Sequence, residues 1–102
     1  MTDQEADVTD IDALALDVGA HLDRLGVERS DWPRVAKVAE EGGEVVGALC
    51  KRAQGRGSTS DVIDELGDVF LAALGAADHL GLAPSAVIAS RWAQVSCRSN
   101  VQ

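Results

Sequence analysis

Two acidic pairs, Glu41 and Glu44 in Glu-Glu-Gly-Gly-Glu, then Glu65 and Asp68 in Glu-Leu-Gly-Asp, flank the sharpest break in this chain, Gly55-Arg56-Gly57-Ser58. Each pair is spaced i, i+3, which places both members on one face of an α-helix. Like charges at such spacings destabilise an isolated helix by roughly 0.2–0.5 kcal/mol per pair. Helical neighbours give little relief: Glu44 has Glu40 and Glu41 behind it, Glu65 has Asp61, and Asp68 has Asp64 and Glu65. Only Glu41 has a cation within reach, Lys37 at i−4. A chain that holds these acids on helices needs positive charge from elsewhere, and a divalent metal ion would supply it.

The apolar pattern is helical throughout. Ile11, Leu14, Val18, Leu22 and Leu25 recur at helical spacing, with Thr9 or Asp10 as cap and Gly26 as stop, so a first helix is expected over about 10–25. Ser30 or Asp31 can cap a second helix, with Pro33 tolerated in its first turn, running to about Gln54. Ser58 and Asp61 resemble a capping box that opens a third helix near Thr59, ending near Leu80 before Gly81. Its band of Val62, Ile63, Leu66, Val69, Phe70 and Leu74 predicts a helix buried on most sides. Pro84 then starts a fourth helix to about Cys97, packing through Val87, Ile88, Trp92 and Val95.

These elements define an all-α subunit, bundle-like, with an antiparallel central hairpin. Aromatic residues make up only 3% of the chain, which disfavours a sheet. Residues 1–8 read as a flexible acidic tail, 9–98 as a single helical domain and 99–102 as a polar C-terminal tail. A chain of 102 residues buries only part of its apolar surface alone, so a homodimer or homotetramer is expected. The net charge of −8 disfavours double-stranded nucleic acid. With no apolar run of membrane-spanning length and no signal peptide, the expected location is the cytoplasm, with no membrane partner. Cys50 and Cys97 belong to no metal-binding cluster and are expected as reduced, buried small hydrophobes.

In an antiparallel hairpin the two acidic pairs come level. Glu44 lies roughly 15 Å before the Gly55 turn, and Glu65 and Asp68 lie roughly 10–15 Å after it, at 1.5 Å per residue. Gly42, Gly43 and Gly67, each costing up to about 1 kcal/mol relative to Ala inside a helix, suggest close approach of a backbone or a ligand. A single acidic pair would be ordinary solvated surface in a chain with 17 Asp and Glu, but two at matching heights suggest a metal site. Oxygen-only ligands suit Mg²⁺, with Mn²⁺ as a substitute, and argue against zinc. Carboxylate-held Mg²⁺ points to phosphate-ester or phosphoanhydride chemistry. His21 and His79 lie in no ligand cluster, and Trp32 and Trp92 are as a rule packing residues.

Lys37-Val38-Ala39-Glu40-Glu41-Gly42-Gly43-Glu44-Val45 followed by Asp64-Glu65-Leu66-Gly67-Asp68-Val69 resembles the MazG-like nucleoside triphosphate pyrophosphohydrolases of the all-α NTP pyrophosphatase superfamily. The likeness covers about Ala36 to Leu82. It implies an oligomeric enzyme that hydrolyses an NTP or dNTP to the nucleoside monophosphate and pyrophosphate, in nucleotide-pool housecleaning. Carried over by position, Glu41, Glu44, Glu65 and Asp68 would bind Mg²⁺. Glu40, with Glu41 and Glu44, would be catalytic, as a lesser acid that orients water. Lys37, Lys51, Arg52 and Arg91 are candidate phosphate contacts, with Arg56 and Arg98 as further nearby cations. The alternative is a catalytically silent helical module for oligomerisation or nucleotide sensing.

Overall fold

A computed structural model describes residues 10–98. The described residues form α1 (Ile11–Arg24), a π-helical turn (Trp32–Ala36) running into α2 (Lys37–Ala53), α3 (Thr59–His79) and α4 (Pro84–Arg98), with no strand among them. The expected tails, 1–8 and 99–102, lie outside the described residues.

Local chemistry sets the boundaries. The Asp10 carboxylate accepts from Ala13 N–H at 3.1 Å and opens α1. Ser58 and Asp61 close a reciprocal capping box at α3, with Ser58 N–H donating to Asp61 Oδ2 at 2.9 Å and Asp61 N–H to Ser58 Oγ at 3.2 Å. The three glycines after α1, α2 and α3 adopt positive φ, 76° at Gly26, 75° at Gly55 and 71° at Gly81. Each lets the following amide reach back to a late carbonyl of its helix, as Leu82 N–H does to Ala77 O at 2.9 Å.

The start of the second helix departs from expectation. Neither Ser30 nor Asp31 caps it through a side chain, and its first turn is π-helical rather than α. The Asp31 carboxylate instead meets His79 Nε2 at 3.0 Å, tying this turn to the end of α3. Within the wider turn Arg34 points inward and is only 1% exposed.

The central element is α3, against which α1, α2 and the π turn all pack. The α1–α3 contact depends on glycines the periodicity did not single out. A methyl group on Gly19 would collide with the Asp78 carboxylate, and one on Gly75 would meet Leu22 Cδ1 at 3.1 Å and Val18 Cγ1 at 3.5 Å. By contrast, no atom lies within 4 Å of where a side chain would begin on Gly42, Gly43, Gly47 or Gly67. The glycines of α2 therefore do not serve helix–helix approach.

Helix α4 bends 108° away from α3 and rests against α1. Its attachment is polar: Ser85 N–H donates to Asp12 Oδ1 at 2.8 Å, and the Ser85 hydroxyl donates to Asp12 Oδ2. Two expectations fail as a result. The α4 stripe of Val87, Ile88, Trp92 and Val95 is exposed, and α3 shows Ile63 (62% exposed), Leu66 and Phe70 (63%) to solvent. The buried apolar side chains among the described residues are small, Ala15, Ala48, Ala76 and Pro84. With α4 turned outward, one chain has no helix to cover that side of α3. Cys50 and Cys97 are free, as expected, but exposed, because both lie on the uncovered faces of α2 and α4. No single described helix is long and apolar enough to cross a membrane.

Candidate metal and active site

The hairpin turn at Gly55–Ser58 folds α2 back along α3 and brings the two acidic pairs together. Glu41, Glu65 and Asp68 can each place a carboxylate oxygen within 4.8 Å of the others, and so can Glu40, Glu41 and Glu44. Glu41 belongs to both groups and is 9% exposed, whereas Glu40 and Glu44 are open to solvent. Its carboxylate is also 3.4 Å from Lys37 Nζ, which lies 3.3 Å from Glu40 as well. These two acids hold the Lys37 ammonium, through the Glu40 hydrogen bond first, above its ordinary value.

The far side of the seam has no such cation. Glu44 lies beside Glu65, so two carboxyl groups meet across the seam with no cation between them. That contact, then loss of water, then the negative charges of Glu44, Asp68 and Glu41, raise the Glu65 carboxyl above its ordinary 4.5. Glu65 Oε2 is buried and has no hydrogen-bond partner. A buried, unpartnered carboxylate oxygen facing further acids is a donor set suited to a hard cation. No ion pair reaches Glu44, Glu65 or Asp68 among the described residues.

Two cavities of similar size open on this seam. One, of about 590 Å³, lies between α1, the π turn and α3, and has Val18, Leu22, Val27, Pro33 and Leu71 in its walls and Glu41 and Asp68 at its acidic edge. The other, of about 570 Å³, lies beside the hairpin turn and is lined by Gly43, Gly47, Lys51, Arg56 and Asp61, with Glu44 and Glu65 at its edge. The four principal carboxylates thus divide two and two between an apolar space and a polar one.

The candidate cations separate accordingly. Lys37 lines the apolar cavity beside Glu40 and Glu41, and Lys51 lines the polar one. Arg52 donates to Thr59 Oγ1 at 3.2 Å across the turn, and Arg91 donates to Gln94 on its own helix at 2.9 Å; neither lines either cavity. Arg91 is kept away by the outward course of α4. Arg56 lines the polar cavity from the tight turn that the positive φ of Gly55 opens. His21 lines the apolar cavity although it belongs to no ligand cluster.

Sequence reasoning missed Arg34. Its guanidinium donates to Asp23 Oδ1 at 2.9 Å, Val27 O at 2.6 Å and Glu28 O at 3.2 Å, and it lies behind the apolar cavity. Nothing in its sequence context, an Arg after Pro33, distinguishes it from a surface cation.

A family model described as phosphoribosyl-ATP pyrophosphohydrolase (PRA-PH) matches residues 23–91, from the end of α1 into α4. No curated protein and no solved structure gives a significant match. The matched segment contains both acidic pairs, both cavities' acidic edges and the turn between them. It agrees with the resemblance noted above at the level of the superfamily, not at the level of its MazG-like branch. On that match the chain belongs to the phosphoribosyl-ATP pyrophosphohydrolase family, a member of the all-α NTP pyrophosphatase superfamily whose activity is pyrophosphohydrolysis of a nucleotide.

Proposed function

We propose that this chain is a Mg²⁺-dependent enzyme that cleaves the bond between the α and β phosphates of a nucleoside triphosphate, NTP or dNTP, leaving the monophosphate and pyrophosphate. The observation that carries the reading is the convergence of Glu41, Glu65 and Asp68 within 4.8 Å, with a buried Glu65 oxygen that lacks any partner. Glu41, Glu44, Glu65 and Asp68 would hold the metal, and Mn²⁺ would substitute because both ions accept oxygen ligands. When bound, the ion supplies charge neutralisation at the phosphates and lowers the pKa of a coordinated water.

The chain's own groups have separable tasks. Lys37 orients Glu40 and Glu41 through contacts of 3.3 and 3.4 Å. Glu40, exposed and on the same helix face, is placed to orient a water beside Glu41 and Glu44. The exposed apolar faces of α2, α3 and α4, including Leu49, Phe70 and Trp92, support a homodimer or homotetramer in which a second copy covers them. The working role is nucleotide-pool housecleaning in the cytoplasm.

The test is pyrophosphate release from a panel of canonical and modified NTPs and dNTPs, with phosphoribosyl-ATP included, in Mg²⁺ or Mn²⁺. Release that depends on metal and is lost in Glu44→Ala is expected. Release from phosphoribosyl-ATP alone would narrow the substrate to that of the family's description. Nucleotide binding without turnover across the panel would replace the enzyme reading with a silent nucleotide-sensing module.

A further inference from the structure

The polar cavity beside the hairpin turn has no place yet in the proposed reaction. It combines four features. Lys51 and Arg56 both line it. The Lys51 ammonium has no ion-pair partner among the described residues, and Arg56 uses Nε and Nη2 on Gln54 Oε1, leaving Nη1 without one. The α2 wall is bare backbone at Gly43 and Gly47, one helical turn apart, with open space where their side chains would stand. Its edge is Glu44 and Glu65, the two acids that face each other without a cation.

The opposite cavity differs in kind. Its exposed lining is mostly carbon, with Val18, Leu22 and Leu71 in the walls and Asp17, Lys37 and Glu40 among the charged residues around them; its volume of about 590 Å³ falls in the range of about 300–1,000 Å³ usual for small-molecule sites, and it reaches the same seam through Glu41 and Asp68. A molecule that spans the seam would have a flat, weakly polar end on one side and a highly anionic end on the other. Its bond to be cleaved would then lie over the carboxylates.

We propose, building on the pyrophosphohydrolase reading, that the substrate lies across the α2–α3 seam in one direction only: nucleoside in the cavity walled by Val18, Leu22 and Leu71, departing diphosphate in the cavity lined by Lys51 and Arg56. Charge makes the diphosphate side conditional. Lys51 and Arg56 oppose Glu44, Asp61 and Glu65, so the cavity carries a net −1 with all groups ionised and repels a free anion. One divalent cation on Glu44 and Glu65 changes that to +1. Pyrophosphate should therefore enter only together with the metal. Gly43 and Gly47 keep the wall clear, since any side chain there would occupy the diphosphate's space.

Equilibrium binding to the full-length chain tests this without turnover, using inorganic pyrophosphate and AMP as probes, each with and without Mg²⁺. Pyrophosphate should bind with Mg²⁺ and not in its absence. The paired substitution Lys51→Ala with Arg56→Ala should weaken pyrophosphate binding at least tenfold and leave AMP unchanged. Leu71→Trp, which fills the apolar cavity, should do the reverse. Gly47→Leu is a second probe of the polar side that removes no charge, and it should reproduce the loss for pyrophosphate. Both probes weakened by the same variant, neither probe bound by the wild-type chain, or pyrophosphate affinity unchanged in the Lys51 and Arg56 variant would overturn the assignment. The last result in a chain that still releases pyrophosphate from a nucleotide would leave the enzyme reading intact. The expected partition in a chain that turns over nothing would keep the orientation and remove the reaction.

Discussion

Two ends of the same helical bundle treat negative charge in opposite ways. Where α1, the π turn and the end of α3 meet, Asp23 lies 2.8 Å from Arg29 and 2.9 Å from Arg34, Asp78 lies 3.5 Å from Arg29, and Asp31 lies 3.0 Å from His79. Along the α2–α3 seam, Glu44, Glu65 and Asp68 meet other acids instead. The first arrangement gives Asp23 and Asp78 a cation within one chain, although Arg34 Nη1 and Asp78 Oδ2 make no hydrogen bond there, and it ties a connection in place. The second leaves like charges together, which a folded protein tolerates where a ligand supplies the missing charge. What distinguishes them is the counter-charge that Arg29 and Arg34 bring to the first, since both ends carry acids on helices.

Neutralising one acid on each side gives the largest contrast. Glu65→Gln should reduce turnover by on the order of 10³-fold, the several kcal/mol a metal contributes to the transition state, while raising the melting temperature of the metal-free chain. Steady-state pyrophosphate release and thermal melts check the two halves; a fall in both stability and activity would mean that Glu65 is structural. At the paired end, Arg34→Ala should cost about 1–3 kcal/mol of stability, because it removes a buried guanidinium that donates to half-exposed Asp23 and to the carbonyls of Val27 and Glu28. Urea denaturation reads it. Gly19→Ala should cost about 1–3 kcal/mol by pushing the Asp78 carboxylate from its seat, and a variant as stable as wild type would show that α1 and α3 can separate freely.

The smallest effect is a difference in sign with pH. Asp23 is held below its ordinary 3.8, first by the Arg29 hydrogen bond and then by Arg34. Its contribution is present above 3.8 and is lost as pH falls through the lower folded-state value. Glu65 is raised above 4.5 by Glu44, so its contribution is present below 4.5 and is lost as pH rises through the higher folded-state value. Melts of the metal-free protein should therefore lose an acid-side component in Asp23→Asn and a component on the rising side of 4.5 in Glu65→Gln. Saturating Mg²⁺ should abolish only the second.

Much of this was legible in the residues. The caps at Asp10 and Ser58, the stops at Gly26, Gly55 and Gly81, and the level heights of the two acidic pairs depend on short-range geometry, which a sequence carries directly. The Glu41–Lys37 contact is also local, at i−4. Arg34 was not legible, because its partners lie six to eleven residues away across a turn whose π geometry no periodicity announces. Nor was the role of the glycines. Gly19 and Gly75 look like ordinary helix interruptions and turn out to set the α1–α3 contact, whereas Gly42 and Gly43, which look like packing positions, face open space.

The apolar stripes show the same division. Helical spacing fixed which residues of α3 and α4 share a face, but it carried no information on what that face would meet. The 108° bend at Gly81–Pro84 decided that Val87, Ile88 and Trp92 point away from the bundle. By itself the sequence determined the helices, their ends and the unmatched acids, since each follows from contacts within about four residues. Only the tertiary structure decided that Glu41 joins two carboxylate groups, that Lys51 and Arg56 share a cavity apart from the apolar one, and that Arg91 lies with neither. Those outcomes depend on how helices cross and which faces meet, and such contacts between distant residues leave no periodic trace in the chain.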